Sequence, residues 1–200
     1  MITLYCGTPG SGKSLYAAGQ ILDALAQKKL VITNFPLSFT HIKGKFFQWY
    51  YGAGVRCEVS NDDLSPQFCQ IAAHSFFAGD EPKEGRILLV IDEAGLVFNP
   101  RDWNRPDRKD WLTFLSQHRK LGFDVILISQ SDNQLDKQLR PLLEYRVRFK
   151  RVSSLLGFPC SIFVGVRSYY NSRSRSDVLS TTVFRYHKRW AKLYQTMRIF

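Results

Sequence analysis

Gly7-Thr8-Pro9-Gly10-Ser11-Gly12-Lys13-Ser14 follows the spacing G-x-x-x-x-G-K-[ST], and the chemistry of that spacing is phosphate capture. Glycine is required because successive backbone N–H groups must converge on phosphate oxygens along a concave path that side chains would block. Lys13 supplies a point charge to the β- and γ-phosphates and Ser14 a hydroxyl to Mg²⁺, while a helix opening at Lys13 points its partially positive end at the anion. The nucleotide-contacting run is therefore Gly7 to Leu15. A second set of candidates follows Ile87-Leu88-Leu89-Val90-Ile91, where Asp92 and Glu93 stand side by side. Asp92 suits the Mg²⁺ shell, directly or through water, and Glu93 suits the orientation or deprotonation of an attacking water. Gln130, emerging from Val125-Ile126-Leu127-Ile128-Ser129, is placed to sense the γ-phosphate or that water.

These side chains need a scaffold, and the surrounding pattern supplies one. Ile2-Thr3-Leu4-Tyr5-Cys6 reads as a short apolar strand entering the loop, and Leu15, Ala18, Leu22 and Leu25 recur at helical spacing over roughly Lys13 to Lys28. Leu30 to Thr33, Ile87 to Ile91 and Val125 to Ile128 read as buried strands, the unbroken apolar runs of a parallel sheet covered on both faces. In such sheets ligands bind beyond the C-terminal strand ends, which is where both carboxylates fall. Asn61 or Asp62 is the expected N-cap of a helix reaching Phe77. Trp111, Phe114, Leu115, His118 and Leu121 form another helical stripe, closed by Gly122. His118 lies on its apolar side, as a core or interface histidine would. Leu135 to Leu143 is a short helical candidate broken near Pro141.

The 200 residues, 44% hydrophobic and 14% aromatic, fit one α/β domain and exclude a disordered chain. No apolar run approaches the ~20 residues of a membrane span, and a phosphate loop beginning at Gly7 leaves no room for a signal peptide. Cys6, Cys57, Cys69 and Cys160 show no C-x-x-C pairing, so they read as reduced thiols of a cytoplasmic protein. The net charge of +11 is unevenly placed. Residues 1–139 carry 15 Lys/Arg against 15 Asp/Glu, whereas residues 140–200 carry 13 against 2. A basic block of this kind meets a polyanion or forms a solvated face, and DNA, acidic lipid and water all remain open.

In that basic third, Tyr145 to Arg151 alternates basic and apolar residues as a strand with two unlike faces does. Ser161 to Tyr170 and Leu179 to Tyr186 look like further strands around the polar turn Asn171 to Ser176, and His187 to Arg198 is a basic amphipathic stretch. Earlier, the aromatic run Phe46-Phe47-Gln48-Trp49-Tyr50-Tyr51 suits packing or a subunit contact better than base stacking. Arg119 has two readings: a solvated cation at a helix end, or a residue reaching a neighbouring subunit's nucleotide.

With both anchors in hand, Gln117-His118-Arg119-Lys120-Leu121-Gly122-Phe123-Asp124 leading into Val125 to Gln130 resembles the zonula occludens toxin (Zot) family, which includes the gene-I-type assembly proteins of filamentous phages. The resemblance covers almost the whole chain. It implies a P-loop ATPase domain related to the FtsK/HerA DNA-pumping ATPases, on the cytoplasmic face of the bacterial inner membrane and joined through one membrane helix to a periplasmic part absent here. It further implies a homo-oligomeric ring, work on phage DNA and coat proteins, inner-membrane assembly partners, and a basic end near an anionic membrane surface. The toxin property associated with the family is attributed to the absent part and is not expected of these residues.

The expected fold is thus α/β, a P-loop NTPase three-layer sandwich around a mostly parallel sheet with a basic, strand-rich C-terminal extension. Residues 1–139 are the expected nucleotide-binding core and 140–200 a basic subregion of one domain. The expected activity is Mg²⁺-dependent ATP hydrolysis driving phage extrusion, with Lys13, Glu93, Gln130 and Arg119 as catalytic candidates and Ser14 and Asp92 on the metal. Two alternatives stand beside it: a nucleotide-binding assembly scaffold with little turnover, and a small-molecule phosphotransferase with Arg101, Arg105 and Arg108 as a lid.

Overall fold

The apolar runs form the centre of one sheet. Strands β1 (Ile2–Cys6), β2 (Leu30–Thr33) and β4 (Ile87–Ile91) are buried along their whole length, and β5 (Phe123–Ser129) almost so. Alternation divides their side chains between two cores. Ile87, Leu89 and Ile91 join a cluster with Cys69 and Ala73 of α2 (Pro66–Phe77) and Trp111, Phe114 and Leu115 of α4 (Arg108–Gln117). Leu88 and Val90 join a cluster with Ala17, Ile21 and Leu25 of α1 (Lys13–Ala26). Helices thus cover both faces, and the layering is α/β/α.

This computed structural model describes residues 1–39, 54–101, 106–155, 158–171 and 177–194. The aromatic run Phe46 to Tyr51, Arg105, the polar turn from Ser172 to Ser176 and the end of the basic stretch beyond Tyr194 lie outside the described residues, as does the Cys160 side chain. Cys6, Cys57 and Cys69 are free thiols.

Three more strands extend the sheet beyond β1: β6 (Tyr145–Leu155), β7 (Phe158–Tyr169) and β8 (Val178–Arg185). With β3 (Val55–Glu58) at the far edge, the order is β3-β2-β4-β5-β1-β6-β7-β8. Neighbours are parallel from β3 to β6 and antiparallel from β6 to β8. Register fixes where function can assemble. Leu4 and Ile91 both pair with Leu127, and Cys6 pairs with Ser129, so β1, β4 and β5 end along one edge. The phosphate loop, the two carboxylates and Gln130 all leave from that edge.

Several local expectations are corrected. The helix expected to be capped by Asn61 or Asp62 starts later, because Ser65 accepts a hydrogen bond from the Phe68 N–H at 3.1 Å and Pro66 occupies the first turn. Asn61 instead accepts from the Asn34 amide at 2.7 Å. The stripe expected to reach Leu121 stays helical only to Gln117, after which Gly122 at φ +83° turns the chain into β5. Between Leu135 and Leu143 there is no α-helix. The Asp136 carboxylate takes the Gln138 N–H at 2.9 Å and pairs with Arg108, and 3₁₀ turns at Asp132–Gln134 and Arg140–Leu142 flank that interruption.

Candidate nucleotide-binding site

The loop after β1 packs closely against β6 and β7. A Cβ on Gly7 would lie 2.5 Å from the Phe149 carbonyl oxygen, and one on Gly12 would lie 2.6 Å from the Phe163 ring, so neither position admits a side chain. Gly10 is different: its surroundings are open, but φ of +72° selects glycine. The Gly7 N–H donates to the Gln130 carbonyl at 3.3 Å, tying the loop to the end of β5. Gly12 then caps α1, leaving the first N–H groups of that helix directed at the loop's concavity. The Ser11 hydroxyl is buried there with no protein partner.

Lys13 is only 9% exposed and folds back over the loop, donating to the carbonyls of Gly7 at 2.8 Å and Thr8 at 3.1 Å. Burial lowers its pKa, while the carboxylates of Asp92 and Glu93 act in the opposite direction. Those carboxylates are therefore close enough to be felt at the ammonium.

Asp92 is the most perturbed carboxylate of the site. Burial pushes its pKa up to about 6, the Glu93 charge adds to the rise, and the Glu93 N–H, Lys13 and the Ser14 hydroxyl oppose it. Its backbone is fixed by Asn34, which accepts from the Asp92 N–H at 2.7 Å and donates to the Asp92 carbonyl at 2.9 Å. One carboxylate oxygen accepts from the Glu93 N–H at 2.9 Å, and the other accepts from the Tyr194 hydroxyl. A hydroxyl and a carboxylate facing each other at the loop form a hard-oxygen donor pair suited to Mg²⁺. Burial of Asp92 with incomplete charge compensation fits that cation as well.

Glu93 is exposed and sits at φ +45°, an uncommon conformation for a residue with a Cβ. It caps the short helix α3 (Ala94–Val97) and lines a cleft with Asn99, Arg101, Asn133 and Gln134. Gln130 is exposed and lines another cleft with Gly7, Thr8, Asp132, Arg146 and Arg148. Its N–H donates to the Gln134 side chain at 3.2 Å, which also accepts from the Ser129 hydroxyl at 2.8 Å.

Arg119 is not brought to this chain's own site. It precedes β5 and so lies at the opposite sheet edge, paired with Glu144 and, at 3.6 Å, with Glu84. Beside it, buried His118 joins the Met1 amine at 2.8 Å and the Leu115 carbonyl at 2.7 Å, and burial lowers its pKa. A catalytic Arg119 within one subunit is excluded by this placement. Arg108 likewise is no free lid residue, being bonded to Asp136 at 2.5 and 2.9 Å.

Asn34, Gln134 and Tyr194 are the site residues that sequence reasoning missed. Asn34 closes β2 at the same edge as Asp92, a signal that strand alignment would have supplied. Tyr194 is distant in sequence and carries no motif. It arrives because α5 (Lys188–Leu193) packs across α1, where Trp190 fills the space over Gly19, and because Leu193 accepts from the Ser38 N–H at 2.9 Å. Phe35 then meets the Tyr194 ring edge-on at 4.8 Å.

Comparison with known proteins agrees with this geometry. The profile of the zonular occludens toxin (Zot) family matches residues 1–198. The chain belongs to the Zot family. Within it, the chain is 32% identical to the Gene 1 protein of Enterobacteria phage I2-2 over 155 residues, 76% of this chain and 40% of that protein. It is equally identical to the Gene 1 protein of Enterobacteria phage M13 over 161 residues, 80% of this chain and 43% of the relative. This Zot-family chain thus spans less than half the length of those relatives. Among solved structures it is similar to the N-terminal domain of zonular occludens toxin from Neisseria meningitidis, with a TM-score of 0.59, 20% identity, and coverage of 97% and 98% of the two chains. It is also similar to the genome packaging NTPase B204 of Sulfolobus turreted icosahedral virus 2 solved with ATP-gammaS, at a TM-score of 0.57, 17% identity and 92% and 96% coverage. The fold is that of a P-loop NTPase.

Proposed function

We propose that this Zot-family chain is an Mg²⁺-dependent ATP-binding and hydrolysing motor domain that powers filamentous-phage assembly and extrusion through the bacterial inner membrane. It works at the cytoplasmic face, as a homo-oligomeric ring acting on phage DNA and coat proteins with inner-membrane partners. The observation that carries this reading is the meeting of Lys13 and Ser14 with Asp92 and Glu93 at one sheet edge. The phage Gene 1 relatives and the packaging NTPase support the biological direction.

Ser14 and Asp92 would hold the Mg²⁺, which when bound neutralises charge on the phosphate oxygens. The backbone from Gly7 to Leu15 binds the phosphates, and the Lys13 ammonium moves from its carbonyl contacts to the β- and γ-phosphates. Glu93 orients a water in line with the γ-phosphorus and accepts its proton as the new P–O bond forms. The bond to the leaving oxygen breaks, giving ADP and phosphate. Gln130, at the neighbouring strand end, contacts the γ-phosphate or the water. Arg119 acts in this scheme only on a neighbouring subunit's nucleotide, after leaving Glu144.

One observation favours the scaffold reading: the Tyr194 hydroxyl already occupies an oxygen of Asp92, so the metal has a competitor inside the chain. Turnover by a membrane-anchored full-length protein, measured with nucleotide affinity and oligomeric state, separates the two. Lys13→Ala is expected to lose binding and turnover together. Glu93→Gln is expected to keep binding while turnover falls by about 10²- to 10⁴-fold. Equal turnover in the wild type and Glu93→Gln would remove Glu93 from the mechanism, and an assembled wild type that binds ATP without turnover would establish the scaffold.

A further inference from the structure

The phosphate loop opens sideways into a cleft built by the C-terminal third. Its floor is Gly10, Gly12, Ser14 and Leu15, and its wall includes Phe163 and Tyr186, with Arg151 and Ser161 at its outer end. Phe163 is 6% exposed and packs directly on Gly12. Behind it Phe184 stacks at 5.2 Å with the rings 21° apart, so the wall is two rings deep. Tyr186 differs. It is 56% exposed and has no ring partner among the described residues, although it stands at the mouth of an aromatic cleft. Arg151 donates to the Ser161 hydroxyl at 3.1 Å, and its guanidinium lies 6.0 Å over the Phe163 ring, with donors to spare.

We propose that this aromatic cleft is the nucleobase and ribose site, with Tyr186 stacking on the base. The inference rests on the nucleotide reading above and deepens it. A phosphate chain laid along Gly10 to Ser14 has two ends. On one side the described residues offer charged or polar clefts, one with Glu93, Asn99 and Arg101 and one with Gln130, Asp132, Arg146 and Arg148, which suit a γ-phosphate and water; Arg151 lines both the latter cleft and the aromatic one. On the other side, past Ser14 and Leu15, the cleft becomes aromatic, and a flat heterocycle gains most from such a wall. Arg151 and Ser161 then meet the ribose hydroxyls or the polar edge of the base. The residues that recognise the nucleotide as a nucleoside, rather than as a polyphosphate, thereby come from β6, β7 and the turn into α5.

The test compares Mg-ATP with Mg-tripolyphosphate, which carries the same chain of phosphates without nucleoside. Binding of both to the 200-residue chain is measured by calorimetry for the wild type, Tyr186→Ala, Tyr186→Phe and Lys13→Ala. Tyr186→Ala is expected to weaken ATP by about tenfold, the usual scale for one base–aromatic stack, and to leave tripolyphosphate unchanged. Tyr186→Phe is expected to restore ATP affinity, because the ring and not the hydroxyl does the stacking. Lys13→Ala is expected to lose both ligands. Tyr186→Ala that leaves ATP binding intact, or that weakens both ligands equally, overturns the base site while leaving the phosphate loop in place. A wild type that binds neither ligand overturns the nucleotide reading itself, and the base site with it.

Discussion

The parallel half of the sheet and the antiparallel third beyond β1 are built on different terms. In β1, β2, β4 and β5 both faces are covered by helices, and the only place left for polar chemistry is the strand ends. In β6 to β8 one face packs toward α1 and α5, while the other presents Arg148 and Lys150 to solvent. The alternation in β6 makes this visible within four residues: Val147 and Phe149 are buried, and Arg148 and Lys150 are exposed. The first region thus supplies stability and a fixed edge, and the second supplies surface. The phosphate loop touches both, through Gln130 on one side and through Phe149 and Phe163 on the other.

The largest expected difference between the two regions is in stability. Leu89, fully buried at the centre of β4, is expected to cost about 2–5 kcal/mol when changed to alanine. Val183 on β8 is 63% exposed, and its change to alanine is expected to stay within about 0.5 kcal/mol. Denaturant midpoints of the two variants decide this, and similar losses would mean that β8 is covered by a partner in solution.

A smaller effect is expected for polyanion binding. If the open face of β6 meets DNA, Arg148→Glu with Lys150→Glu weakens single-stranded DNA by about tenfold at low salt and flattens the logarithmic salt dependence by about 0.7 per lost contact. Both side chains are exposed, so the melting temperature is expected to hold. Absence of wild-type binding at low salt would leave the basic face as a solvated one.

The finest test concerns Asp92, where Tyr194 of the C-terminal third reaches the parallel half. If Asp92 holds Mg²⁺ as proposed, its pKa of about 6 means that a proton competes with the metal below that value. Mg²⁺ affinity is then expected to weaken about tenfold per pH unit below 6, and this slope is expected to vanish in Asp92→Asn. Without metal the sign reverses for folding. A carboxyl with a raised pKa favours the folded state when protonated, so its contribution is full below 3.8 and is lost as pH rises through about 6. Melting curves of the wild type and Asp92→Asn across that window show whether the residue is as buried as the fold requires.

How much of this was legible in the sequence follows the same division. Leu30 to Thr33 and Ile87 to Ile91 could be read to the residue, because a strand covered on both faces leaves an unbroken apolar run and polar residues mark its ends. The loop and the Asp92–Glu93 pair were legible for a related reason, since their chemistry demands particular residue types at fixed spacing. Helix ends were not, because the choice of Ser65 over Asn61 depends on which side chain reaches a free N–H in space. Arg119 shows the converse difficulty. The distinctive stretch that contains it organises the opposite edge of the sheet, where it joins Glu144 beside the His118–Met1 contact. Its place before β5 already puts it at the N-terminal end of that strand, away from the phosphate loop, and only a neighbouring subunit could bring it to a nucleotide. Asn34 and Tyr194 reach Asp92 from 58 and 102 positions away, and only the packed structure brings them there.

That last contact ties the site to the end of the described chain. Tyr194 is the final described residue, one step beyond a helix clamped against α1 by Trp190. The Asp92 carboxylate is thereby joined through one phenol to the helix that packs across α1.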